Sequence, residues 1–348
     1  MDPISHAVIG RAAAASIRWA SGSHGGQGSH GAQRTPGIAA ASILGALSPD
    51  IDCVLMPVGW DVYLRAHVIG THSIPGAILT GLGAAVLVRS VRRRSSLRHL
   101  IVPAVIAALS HLAADIVTGA RLRPAWPLAD TIVSLPLVAM GDPFTIVILA
   151  IGGVVMWRTR SSPTAARGAL AALCLFLLVK GVMLTAVLMR GVPDLSADAR
   201  ESRIIEARWP SLRDWLIFER NGDQLRAWRV TAGGGKPTLL LTAPSAQETD
   251  APRSRRLTTV RNFLAVHELG LVTERIETPG ERLVLWSDIR FCQPTVDRST
   301  TAGAAPLRCA LWFGGALDRN GRPIRQEVRV GDWVQRRAVS SPSWRSRP

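Results

Sequence analysis

The 348 residues suffice for two units of ordinary size, and 47% hydrophobic content with a positive mean hydropathy is high for a soluble enzyme. A formal charge of +16 raises nucleic acid as a partner, but the arginines are spread over short loops and a tail, with no basic helix or aromatic-interleaved motif, so none is expected. Cys53, Cys174, Cys292 and Cys309 lack any CxxC pairing, which argues against a cysteine-based metal or redox site and leaves Cys292 and Cys309 as the pair able to form a disulfide.

Long apolar runs fall before about residue 190, and the chain beyond is polar, Arg-rich and interrupted by Pro and Gly. The expected architecture is a mostly α membrane bundle of about four to six helices over 1–190, followed by a small antiparallel β domain over 191–348. The N-terminus, MDPISHAVIGRAAAASIRWA, lacks the basic start, apolar core and cleavage site of a removable signal peptide. Residues 3–20 are helix-compatible, with Asp2 placed as an N-cap and Pro3 at the first helical position. His6 lies four residues on, on the same face, with no comparable capping role. Residues 21–37, SGSHGGQGSHGAQRTPG, read as a flexible loop.

A second Ala-rich helix, 37–48, is like the first too short or too polar to span a bilayer alone, and both are expected to pack against the bundle. It leads into GALSPDIDCVL, where Asp50 and Asp52 follow Pro49; a turn or cap explains one Asp without any metal, and spacing does not say which of the two would be a ligand. In YLRAHVIGTHSIPG, His67 and His72 flank a glycine just before a span, and Thr71 and Ser73 suit capping or outer hydrogen-bonding roles. Membrane spans are expected at about 74–91, 100–119, 142–157 and 168–189, against the roughly 20 residues a bilayer needs. The third is short, with Ile132 to Met140 readable as a re-entrant continuation.

The strongest local signal is ALSHLAADIVTG, where His111, Asp115 and Thr118 fall at i, i+4 and i+7 on one face of an apolar helix. Ionisable groups in a bilayer are costly and need a partner or a function; the plainer alternative is a His/Asp pair that locks helix packing. Asp142, before Pro143, is an N-cap first and a site residue second. Lys180, inside LCLFLLVKGVMLTA, pairs with a bundle carboxylate or reaches toward an anionic substrate.

Arg89, Arg92, Arg93, Arg94 and Arg98 lie between the first two spans, and Arg158, Arg160 and Arg167 between the last two, so both loops are expected to be cytoplasmic. The 120–141 connection and everything after 190 then fall outside, and the candidate ligands all gather at the outer face. Arg65, Arg121 and Arg123 share that face and suit phosphate binding. His24, His30 and His99 fall in cytoplasmic loops and His267 in the distal domain, so these four are set aside. The tail alternates strand-like runs such as QLRAWRV, PTLLLTA, ERLVLWSDIRF and LRCALWF with turn signals ERNGDQ and DRNG. Its tryptophans Trp209, Trp215, Trp228, Trp286 and Trp312 suit core or interface anchors.

Five segments in this order, DPISHAVIG, LSPDID, HVIGTHS, HLAADIVTG and the WP of RPAWPLAD, resemble the YdjM/YbcI-type membrane-bound metal-dependent hydrolases over about residues 1–190. The resemblance implies a membrane-embedded hydrolase whose metal ligands are drawn from Asp2, His6, Asp50, Asp52, His67, His72, His111 and Asp115. WSDIRF, with Asp288, Arg290 and Phe291, also resembles the extracytoplasmic tail of some members. More remotely, the order His, Asp, His, then HxxxD is similar to that of zinc-dependent phospholipase C and the P1-type nucleases. That similarity implies one ion on Asp50 or Asp52, His72 or His67, His111 and Asp115, and a second on His6 with a bridging Asp115. The chain departs from those enzymes in having no later His/His/Glu set and in starting with Met1, for which Asp2 could substitute.

The expected function is therefore metal-dependent hydrolysis at the bacterial inner membrane. One or two divalent ions, zinc with manganese as the alternative, would activate water, with whichever of Asp50 and Asp52 is not a ligand as general base. The location suits a phosphoester or lipid-linked substrate among membrane lipids. The alternatives are a non-catalytic metal-stapled membrane protein and an ion- or proton-coupled transporter using His111, Asp115 and Lys180, the latter lowered by the lack of internal repeats. An intramembrane metalloprotease is disfavoured by the missing HExxH.

Overall fold

The computed structural model describes residues 1–17, 37–190, 203–246, 253–267, 269–294 and 307–339. These fall into two compact units, one drawn from Met1–Asp52, His67–Arg190 and Glu206–Trp215, the other from Cys53–Ala66, Gly191–Ile205 and Leu216–Pro348. The chain therefore enters the second unit twice, first as a short excursion at 53–66.

The first unit is a helical bundle of α1 (Pro3–Ser16), α2 (Ile38–Leu47), α4 (Ile74–Val91), α5 (Leu97–Val117), α6 (Pro143–Arg158) and α7 (Pro163–Arg190). Its core is built from small side chains: Ala41, Ala85 and Ala104 pack with Val88 and Leu100, and Ala12 and Ala166 with Met156. Lipid tails are as apolar as leucine, so helices in a bilayer gain by close backbone approach rather than by burying bulk. Gly45 carries this furthest, since a Cβ there would fall on the backbone of Ala104.

Four helical stretches are long and apolar enough to cross a membrane: Ile38–Leu55, Ile74–Val91, Leu97–Val117 and Pro163–Arg190. This set differs from the expected one in one gain and one loss. The segment expected at 37–48 to be too short is extended by a 3-10 helix, Ser48–Leu55, to 18 residues. Pro49 lies at the junction, and the Gly45 carbonyl that its missing amide would have met accepts instead from the Ser48 amide and, at 2.9 Å, from the Ser48 hydroxyl. With α-helical and 3-10 rises added, the stretch is about 30 Å long, the thickness of a hydrocarbon core. Conversely α6, expected as a span, has 16 residues and falls below that length. Between α5 and α6 no helix forms at Ile132 to Met140; the chain doubles back, with isolated bridges pairing Thr118 with Pro136 and Leu122 with Val133.

The second unit is antiparallel β with two short helices, α3 (Trp60–Ala66) and α8 (Thr258–Leu264). Strands β1 (Arg203–Ala207), β2 (Asp214–Asn221), β3 (Gln224–Thr231) and β4 (Thr238–Pro244) form one sheet in that order. The other has the order β11-β10-β9-β6-β5, with β5 Leu271–Thr278, β6 Glu281–Asp288, β9 Leu311–Asp318, β10 Pro323–Val330 and β11 Trp333–Ala338. Leu225, Ala227 and Leu241 of the first sheet share a core with Leu283, Leu285 and Trp312 of the second. Phe263 of α8 stacks on Phe313 with Trp286 beside them in a further cluster. The strand-like runs of the sequence are strands here, and Cys292 and Cys309 pair across β7 (Cys292–Pro294) and β8 (Leu307–Cys309) in a disulfide.

Candidate metal centre

Helix direction brings the histidines and aspartates of the first unit to one end of the bundle. His6 lies in the first turns of α1, Asp50 and Asp52 follow the end of α2, His72 immediately precedes α4, and His111 and Asp115 lie in the last turns of α5. One turn of π-helix, His67–Thr71, carries His67 and delivers the chain to His72. Ser73 then caps α4 by accepting from the Gly76 amide at 3.1 Å, which ties the approach to His72 to a rigid helix start.

Six of these residues form two adjoining groups, His6, His111 and Asp115 in one and Asp50, His67 and His72 in the other, each with ligand atoms within 4.8 Å of one another. The His72 and His111 Nε2 atoms meet at 3.0 Å across the groups. Asp50 Oδ1 lies 3.4 Å from His72 Nε2 and 3.6 Å from His111 Nε2. Asp115 faces both ways: Oδ2 is 3.2 Å from His111 and 3.4 Å from His72, while Oδ1 is 3.2 Å from His6. The backbone nitrogen of Met1 also meets Asp115 Oδ1. His6 and His111 stack with ring centroids 3.6 Å apart, and His67 and His72 at 3.7 Å.

The donor set suits a divalent cation of the zinc type. It consists of imidazole nitrogens and carboxylate oxygens without thiolates, a mixture that first-row ions accept. His6 is fully buried, yet Nδ1 has no hydrogen-bond partner and Nε2 has only its contact with Asp115, which is not well aligned for a hydrogen bond. Buried polar atoms are rarely left in that condition unless something else satisfies them. Burial alone depresses the His72 imidazole, but the carboxylates of Asp115, Asp50 and Asp52 outweigh it and push it up to about 10. The negative potential that does this is one a cation would also feel.

Outer hydrogen bonds orient the rings. His111 Nδ1 lies 2.6 Å from the Ala46 carbonyl, so Nδ1 carries the proton and Nε2 presents its lone pair to the cluster. Asp52 lies 3.1 Å from His67 Nδ1, accepts from Thr71 Oγ1 at 2.5 Å and sits 3.7 Å from His72 Nδ1. It thus stands behind the two histidines, whereas Asp50 faces the cluster with its side chain about 35% exposed. The Ala46 carbonyl has no sequence signature, because a main-chain oxygen carries no residue identity.

The remaining residues singled out in the sequence are placed elsewhere. Asp2 caps α1, with Oδ1 accepting from the Ser5 amide at 2.9 Å and Oδ2 from its hydroxyl at 2.6 Å. Asp142 caps α6 through the Thr145 amide and hydroxyl, both at 2.8 Å. Arg121 and Arg123 lie in the turn after α5, with Arg123 buried and 3.1 Å from Asp130. Arg65, in α3, donates to Asn262 Oδ1 at 3.0 Å within the second unit. Lys180 is buried and meets no bundle carboxylate at ion-pair distance among the described residues; its ammonium donates to the Leu212 carbonyl at 2.8 Å and lies 4.3 Å from the Trp215 ring centroid. Neither of the two groups includes His99 or His267, and His24 and His30 lie outside the described residues.

These features define an integral membrane protein with a buried His/Asp cluster of metal-ligating type. Residues 1–187 match the family model of the YdjM inner membrane protein, and the chain belongs to that family. It is also similar to the uncharacterized protein YfhP of Bacillus subtilis (strain 168), with 26% identity over 185 residues, 52% of this chain and 54% of that protein. The match thus spans about half the length of this curated relative. No solved structure matches the chain.

Proposed function

We propose that this protein is a membrane-bound, divalent-metal-dependent hydrolase acting on a phosphoester, most naturally one linked to a lipid. The observation that carries it is the surplus of donors: three histidines and a carboxylate already complete a four-coordinate shell, and the two adjoining groups hold six residues. His6, His111 and Asp115 would hold one ion, and His67 and His72 would hold a second or complete the first, with Asp50 beside them as the carboxylate left free. A zinc or manganese ion there supplies Lewis acidity and water acidic enough to ionise near pH 7, a value of about the order seen at hydrolytic zinc sites.

The chain's own residues divide the remaining work. Asp115 joins the two groups through its separate oxygens. Asp50 is the partly exposed carboxylate that entering water or substrate meets first, and it is the candidate proton acceptor. Asp52 and the Ala46 carbonyl hold His67 and His111 in the tautomers that leave nitrogen lone pairs facing inward. Positioning of the cluster on the outer, extracytoplasmic side is supported by the Arg-rich α4–α5 and α6–α7 connections at the opposite helix ends.

The test is hydrolysis of a chromogenic phosphodiester and of phospholipid by the purified protein in detergent. Activity should be lost on chelation and restored by zinc or manganese. A second reading, a metal staple without catalysis, is favoured by the near-complete burial of His6, His72 and His111. Protein that retains tightly bound metal but cleaves no ester in any lipid or detergent would establish the staple instead.

A further inference from the structure

We infer that Asp61 is a positioning residue for the metal centre, and that the C-terminal β unit, by clasping Asp61, holds together the two halves of the ligand set that flank it in sequence. The inference rests on the metal-binding reading of the cluster and extends it to a residue and a unit that reading leaves idle.

The chain leaves the first unit at Asp52 and re-enters it at His67, and these two side chains stand 3.1 Å apart. Everything between them, Cys53–Ala66, belongs to the second unit. This excursion separates Asp50 and Asp52 from His67 and His72, so its conformation limits how freely those ligands approach one another. Within the second unit it is gripped firmly. Asp61 is completely buried, accepting from Asn262 Nδ2 at 2.7 Å and ion-paired with Arg337 of β11. Arg337 also donates to Thr259 of α8 at 2.9 Å, and Gln335 donates to the Pro57 carbonyl at 3.1 Å. Gly59 makes room for the clasp, because a Cβ there would fall on the Arg337 guanidinium. Trp60 and Leu64 pack against the cluster of Phe263, Trp286 and Phe313.

Such a clasp costs burial of a carboxylate and ordering of a connector, an expense hard to account for if 53–66 were only a loop. Its return is preorganisation: with the connector fixed, binding an ion need not pay to order both ligand pairs, and affinity rises without any new metal contact. The linkage runs through the covalent chain and needs no contact between the units.

Full-length protein in lipid nanodiscs, titrated with zinc against a competing chelator, tests this. Asp61→Asn and Arg337→Met should each raise the zinc dissociation constant about tenfold or more, and Arg337→Lys should recover much of the loss, as expected of lost and regained preorganisation. Arg325→Met serves as control: it breaks the Arg325–Glu281 pair in the same sheet without touching α3, and should change zinc affinity less than about twofold even where it lowers thermal stability similarly. Wild-type affinity in Asp61→Asn and Arg337→Met, or equal weakening by Arg325→Met, overturns the inference. If those two variants aggregate, Asn262→Ala spares the Asp61–Arg337 pair and still loosens the clasp, and an unchanged affinity there is equally fatal. Wild-type protein that takes up no zinc overturns the metal reading itself, a result distinct from all of these.

Discussion

At the scale of single residues, the cluster is organised by what stands behind each ligand. His111 and Asp115 lie at the centre of the contacts, so His111→Ala and Asp115→Ala should each strip divalent metal, read by elemental analysis, while membrane insertion is retained. Asp50→Asn should keep most of the metal and lose activity by a factor of about 100 or more, the range expected for a lost general base. Equal metal loss in all three would make Asp50 a ligand and not a base. A pH effect belongs to Glu327 in β10. Burial alone raises its carboxyl, but hydrogen bonds and charge from Arg329 and Arg336 outweigh this and hold it below the ordinary 4.5. A folded-state value below the unfolded one means that the stabilisation is fully present above 4.5 and is lost as pH falls through the lower folded value. The melting temperature of the second unit should therefore fall as the pH drops below 4.5, with a shallower slope in Glu327→Gln.

At the scale of elements, helix contacts in the first unit depend on residues that are small rather than apolar. Gly45→Val should push α2 off the Ala104 backbone and cost about 1–3 kcal/mol or more, as overpacking does. Gly83→Ala in α4 meets nothing within 4 Å and should be neutral or stabilising by about 0.5–1 kcal/mol, the usual gain of Ala over Gly in a helix. Melting of both variants in one detergent separates the two outcomes. The helices at 74–91 and 97–117 and the strands of the tail were legible because each is a local pattern: a long apolar run, or alternation ended by a turn. The continuation of α2 through Pro49 was not, because a proline after an apolar run stops a helix or opens a 3-10 turn according to what the following residues pack against.

At the scale of the whole molecule, the positive connections predict one orientation. A reporter that matures only outside the cytoplasm should be active when fused after residue 348 and silent when fused within 89–99. The reverse pattern would place the cluster on the cytoplasmic face and remove the case for an outer-leaflet substrate.

The sequence by itself determined that this is a membrane helical protein with a β-rich tail, because hydropathy runs, period-2 alternation and like-charged loops are properties of neighbouring residues. It also marked the six clustered histidines and aspartates, since ionisable groups beside or within apolar helices stand out in any one of the segments. It also marked Asp2 and Asp142 as N-caps, because a cap is a local contact three residues long, but it did not separate Asp50 from Asp52 or His67 from His72. Those distinctions, the Ala46 carbonyl behind His111, and the capture of residues 53–66 by a domain that begins more than a hundred residues later were decided by the tertiary structure. Each depends on which distant backbone or side chain arrives at a given point in space, and no local pattern carries that information.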